Sequence, residues 1–140
     1  MTLECLCGAL AVTIADRPDH VNACNCDLCR KSGARWGYFD PAQVTVSGAS
    51  SRYRRSDKSE PACEIYFCPA CGTTTHFRLT EASIARFGDT MMGVNMALAP
   101  EDDLAGIELR YPDGKGWPGH GDFGYWRDSR ILGQARGPQG

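Results

Sequence analysis

No stretch of this sequence comes near the ~20 consecutive apolar residues that a membrane-spanning helix needs. The start, MTLECLCGALAV, lacks the basic lead and apolar core of a signal peptide. No membrane partner is expected, and a cytoplasmic location is, where thiols stay reduced. A surplus of one charge is missing too: 15 basic residues stand against 17 acidic ones, a formal −2. That balance lacks the positive footprint of a nucleic-acid binder, so no nucleic acid is expected as partner. The one basic run, Arg52, Arg54 and Arg55, is followed by Asp57 and Glu60 and reads as a solvated strand face. Long helical periodicity is absent, and histidine is scarce at three residues.

Alternation at period two is what the chain has instead. Leu10, Val12 and Ile14 alternate with smaller or polar residues, as a half-buried strand requires. Strands are expected at 36–39, 44–46, 51–55, 62–67 and 73–79, with further ones at 85–87 and 91–98. Short helices are expected at 28–33, 80–84 and 100–104, the last from Pro100 ahead of Glu101, Asp102 and Asp103. The fold class is mainly β, with few short helices. At 140 residues the chain fits one domain, placed at residues 1–132, with a flexible tail at 133–140. The segment before that tail is rich in Gly, Pro and aromatics. It is expected to be irregular, with Trp117, Phe123 and Trp126 packing on the sheet or lining a cleft.

Eight cysteines are many for such a domain. They cluster as C-x-C, C-x-C-x-x-C and C-x-x-C. Neighbours this close pair poorly as disulfides but converge readily on one metal. Cys68-Pro69-Ala70-Cys71-Gly72 has the form of a zinc knuckle, with a proline to fix the turn and a glycine free to take positive φ. A knuckle supplies two ligands. Cys5-Leu6-Cys7-Gly8 is the natural source of the other two, since its sulfurs at i and i+2 share one face of an extended segment. Cys5, Cys7, Cys68 and Cys71 would then close a structural zinc site.

Cys24, Cys26 and Cys29 remain. Three thiolates leave one position of a tetrahedral zinc open, and open zinc sites are where zinc does chemistry. Arg30, Lys31 and Arg35 follow and are candidates to grip a carboxylate of an incoming molecule. His20, His76 and Cys63 are the alternatives: any of them as fourth ligand would make a second closed site. Cys63, in a strand, otherwise reads as a small core hydrophobe. An iron–sulfur centre fits the scattered spacing poorly.

In this order, C-x-C-G, C-x-C-x-x-C with a basic pair and Ser-Gly, then F-C-x-x-C-G resembles the GFA/CENP-V family of glutathione-dependent formaldehyde-activating proteins. Here the motifs read Cys5 to Gly8, Cys24 to Gly33 and Phe67 to Gly72. The resemblance implies twisted antiparallel β-sheets related to methionine sulfoxide reductase B, and two zinc ions per chain. One would be structural on the outer pairs and one catalytic on the triad. It further implies carbon–sulfur lyase chemistry on adducts of a small thiol such as glutathione. CENP-V-like relatives point instead to a non-catalytic zinc-stabilised binding module. The chain departs from the family pattern in Asn25, where histidine is more usual, and in Gly93-Val94-Asn95-Met96 near the place of a G-x-L-D pattern. The stretch from Tyr111 to Trp126 aligns with nothing in it. The oligomeric state is left open.

Overall fold

The computed structural model describes residues 1–134, so most of the tail expected at 133–140 lies outside the described residues. In chain order the elements are β1 (Thr2–Glu4), β2 (Ala11–Ile14), β3 (His20–Asn22), α1 (Asp27–Ser32), β4 (Trp36–Phe39), β5 (Val44–Ser47), β6 (Ser51–Tyr53), β7 (Cys63–Phe67), β8 (Thr74–Leu79), α2 (Glu81–Phe87), β9 (Met92–Asn95), β10 (Glu108–Arg110) and β11 (Arg130–Ile131). Single 3-10 turns lie at Pro41–Gln43, Met96–Leu98 and Glu101–Leu104. The chain is mainly β with short helices, as its alternation implies.

Two sheets form. One has three strands in the order β1-β2-β5; the other has eight, β11-β10-β3-β4-β9-β8-β7-β6. The pairings are antiparallel except that β10 runs parallel to β3, with Leu109 beside Val21. The antiparallel expectation therefore needs this one amendment. The large core lies between the sheets, where Leu3, Val12 and Ile14 meet Val94, Met96, Leu109 and Tyr111. Each aliphatic side chain fully buried there contributes roughly 1.5–3 kcal/mol. A smaller cluster of Trp36, Ile65 and Phe77, with Tyr38 and Met91, covers the opposite face of the large sheet. Trp36 and Tyr38 enter it while Phe39 enters the first core, as strand alternation dictates. Gly93 lies opposite Phe77 in the ladder. A Cβ at Gly93 would come within 1.9 Å of the Phe77 ring, so only glycine lets that ring lie across β9.

Two expectations change. Residues 85–87 are not a strand; they complete α2. The Thr80 hydroxyl caps the helix by accepting from Ser83 N–H at 3.3 Å, and Gly88 at φ 85° ends it. The apolar run 91–98 is a strand only to Asn95, whose Oδ1 accepts from Ala97 N–H and turns the chain into 3-10 geometry. Of the basic run, Arg52 and Arg54 are exposed as a solvated face requires, and Arg55 is the one drawn in. Arg54 reaches the buried Glu64 carboxylate at 2.7 Å, and Arg55, 13% exposed, grips Asp57 at 2.6 Å.

Candidate metal centre

Two cysteine clusters form, divided as the motifs divide them. The Sγ atoms of Cys5, Cys7, Cys68 and Cys71 all lie within 4.8 Å of one another, and so do those of Cys24, Cys26 and Cys29.

The four-sulfur cluster rests on two similar turns, one at the end of each sheet. Gly8 at φ 79° sends its N–H to Cys5 C=O; Gly72 at φ 78° sends its own to Cys68 C=O. Positive φ makes both glycines necessary. Thr73 joins the turns: its hydroxyl accepts from Leu6 N–H at 3.1 Å and lies 3.2 Å from Cys71 Sγ. That hydroxyl and the Thr73 backbone hold the Cys71 thiol down to about 5. Cys5 Sγ stands 3.6 Å from Cys7 Sγ, which stands 3.7 Å from Cys68 Sγ. A tetrahedron with Zn–S of about 2.3 Å sets its sulfurs ~3.8 Å apart, so the donors fit zinc in chemistry and spacing.

The triad hangs from one short segment. After β3 the chain leaves the sheet but stays tied to the residues after β10, through Ala23 N–H to Arg110 C=O at 2.8 Å. Cys26 is the N-cap of α1, its Sγ accepting from Cys29 N–H at 3.4 Å; Cys24 Sγ accepts from Cys26 N–H at the same distance. The flanking thiols of Cys24 and Cys29 favour the thiolate at Cys26 and pull it well below the ordinary thiol range. Gly33 at φ 71° ends the helix. Three soft donors this close also suit zinc. No further His, Cys, Asp or Glu among the described residues brings a ligand atom as close to all three.

The three candidate fourth ligands are accounted for elsewhere. His76, 2% exposed, stacks on Tyr66 and bonds Thr75 Oγ1 through Nδ1 at 2.8 Å; burial pushes it down to about 4, so it is neutral. His20 packs beside Tyr38 with ring centroids 5.8 Å apart. Cys63 faces an apolar cavity, and burial pushes its thiol up to about 11.

The segment after β10 closes on the triad, a contact that no sequence signal revealed. Asn25 Nδ2 donates to Asp113 Oδ1 at 2.8 Å, and Lys115 N–H donates to Asn25 Oδ1 at 3.0 Å. Asn25 thus fastens the unaligned segment down, and holds the Asp113 carboxyl below its usual range. Gly114 is forced here, since a Cβ would meet Cys24 Sγ at 2.4 Å. Trp126 packs edge-on against Tyr111, and its indole N–H donates to Ala23 C=O at 3.3 Å. Trp117 stacks on Phe123.

Space opens on two sides of the triad. A cavity of about 340 Å³ is walled by Trp36, Tyr38, Phe77, Met91 and Phe123, with Cys24 and Cys29 among its lining residues. Burial pushes the Tyr38 phenol up to about 12, so it stays protonated. A second concavity, about 320 Å³, is also lined by Cys24 and Cys29, with Asn25, Arg30, Arg35 and Trp126 around it. Arg30 and Arg35 are therefore near the triad, although Arg30 also pairs with Asp27 at 3.0 Å. Lys31 lines a different groove, with Asp27, Tyr53 and Arg55.

A family model for glutathione-dependent formaldehyde-activating enzyme, GFA, matches residues 1–103. The chain belongs to the GFA family. The matched part holds both cysteine clusters and ends before the segment that covers the triad. No curated protein matches the chain. Among solved structures, the crystal structure of a Rhodobacter sphaeroides protein is similar at 23% identity with a TM-score of 0.58, covering 79% of this chain and 99% of that one. At that identity the likeness speaks for the fold. No helix among the described residues is long and apolar enough to cross a membrane.

Proposed function

We propose that this GFA-family chain is a zinc-dependent enzyme of carbon–sulfur lyase type. It would join a small glutathione-like thiol to formaldehyde or another small electrophile, or cleave such an adduct, at the three-cysteine site. The observation that carries the reading is the unequal donor count: four sulfurs in one cluster and three in the other, with concave space on both sides of the three. Zinc held by Cys24, Cys26 and Cys29 would supply a Lewis-acid position where a thiol ionises near neutral pH.

The chain's own residues orient the reactants. Arg30 and Arg35 offer planar guanidinium forks to a carboxylate beside the triad. Lys31, in its separate groove, drops out of that role. Asn25 has no basic nitrogen, so it takes no proton; it holds the covering segment in position. Cys63, half-buried and with its thiol raised, is a poor nucleophile, which argues against sulfoxide-reductase-type redox chemistry. The four-cysteine cluster would hold a second, structural zinc.

Calorimetric titration of the zinc-loaded protein with glutathione tests the reading. Cys26→Ser is expected to weaken binding by at least about tenfold; unchanged affinity would contradict it. A second reading, a zinc-stabilised binding module without turnover, draws on the exposed Tyr125 and Trp126. It requires that the protein alone saturate both ions.

A further inference from the structure

We infer that the electrophile this site accepts is an aldehyde bearing an apolar group, aromatic or branched aliphatic. The cavity of Trp36, Tyr38, Phe77, Met91 and Phe123 would seat that group, and Tyr38 would bind the carbonyl oxygen. This rests on the triad being the reactive site and names the substrate class for it.

The argument starts from where the sulfurs stand. Cys24 and Cys29 line both the charged concavity and the apolar cavity, so two chambers of unlike character meet at the triad. A two-substrate addition needs such a meeting point. The thiol, if it carries carboxylates, belongs on the side of Arg30 and Arg35. No charged side chain among the described residues lines the other chamber, and a carboxylate there would lose its hydration uncompensated.

Size then selects the partner. Formaldehyde has two heavy atoms and nothing to press on aromatic walls. A void of about 150 Å³ with apolar walls already admits a benzene ring, and this one measures about 340 Å³. Apolar pockets with one or two placed polar groups are the usual form of a small-molecule site. The polar group here is a pair: Asn22 Nδ2 donates to the Tyr38 hydroxyl oxygen at 3.1 Å. That bond occupies the oxygen as acceptor and leaves the Tyr38 proton free to donate to a carbonyl. Gly93 keeps the Phe77 ring in the wall, and the Asn25–Asp113 latch holds the segment that leads to Phe123. In the reaction the thiol sulfur bonds to the carbonyl carbon, the C=O π pair moves to oxygen, and the thiol proton ends on that oxygen. The hemithioacetal forms without oxidant or reductant.

Benzyl alcohol, which has the ring and oxygen but cannot add a thiol, probes the cavity in the zinc-loaded protein by NMR of the Met91 methyl. The signal is expected to shift and saturate, while methanol gives no saturable shift. Ala62→Trp, at an exposed position on the cavity lining, should weaken benzyl alcohol at least about tenfold. Tyr38→Phe should weaken benzyl alcohol and leave toluene unaffected. An unmoved Met91 signal, or equal affinity in Ala62→Trp, would overturn the inference; equal loss of both ligands in Tyr38→Phe would overturn the role of its hydroxyl. Glutathione titrated into the same sample separates the two claims. Thiol binding without a Met91 response sinks the cavity alone; a Met91 response without thiol binding sinks the lyase reading, and with it the electrophile's role, and leaves only a cavity that takes apolar groups.

Discussion

Cys5, Cys7, Cys68 and Cys71 come from two turns 61 residues apart in sequence, one from each sheet. Cys24, Cys26 and Cys29 come from a single six-residue segment in the connection between the neighbouring interior strands β3 and β4 of the large sheet. The first cluster joins parts of the fold that otherwise meet through the core and through the Leu6–Thr73 hydrogen bond between the two turns. The second joins nothing distant and has space on both sides. Identical donor atoms thus span a long loop in one place and a short one in the other, and chain separation sets what a bound ion would do for stability.

Breaking each cluster in turn tests that contrast. Cys68→Ser, at a position with no exposure, removes one arm of the long-loop cluster. The expected loss is several kcal/mol against a total stability of about 5–15, enough to unfold the domain; thermal melting would report it.

Acid sharpens the same contrast. His76 sits in β8, directly after the knuckle, and is held neutral down to about 4 against an ordinary 6.5. Between those values the unfolded chain binds a proton that the folded one does not. Stability is therefore full above about 6.5 and falls as pH drops toward 4, by up to about 3 kcal/mol. His76→Gln should flatten that part of the profile in urea denaturation, with wild type measured alongside to subtract acid effects on the thiolates.

Cys26→Ser should cost much less than Cys68→Ser, about 1–2 kcal/mol, since no distant loop is opened. Zinc per chain should fall by one while the far-ultraviolet spectrum holds. Equal melting losses in the two variants would erase the distinction drawn here. The smallest effect belongs to Asn25→Ala, at about 1 kcal/mol for its lost hydrogen bonds. It should appear as faster amide exchange confined to 113–126.

The cysteine spacings made the two clusters legible, because sulfur ligands two or three residues apart leave few geometric choices. The strands from Leu10 to Ile14 and from Thr73 to Leu79 were legible through alternation. The strands β1, β3, β10 and β11 were not: at two or three residues each they carry no period, and pairing across the fold creates them. The Asn25–Asp113 latch joins residues 88 apart, a contact that no local pattern encodes. The Gly- and Pro-rich composition around Pro112-Asp113-Gly114 signalled irregular structure but not its target. Thr73 was hidden likewise, its role arising only when the two turns meet.

Zinc-edge X-ray absorption with metal counting on the native chain addresses the central claim most directly. The expected result is two zinc ions per chain, one ringed by four sulfurs and one by three sulfurs and a light atom. One zinc per chain, or four sulfurs around both ions, would contradict the account.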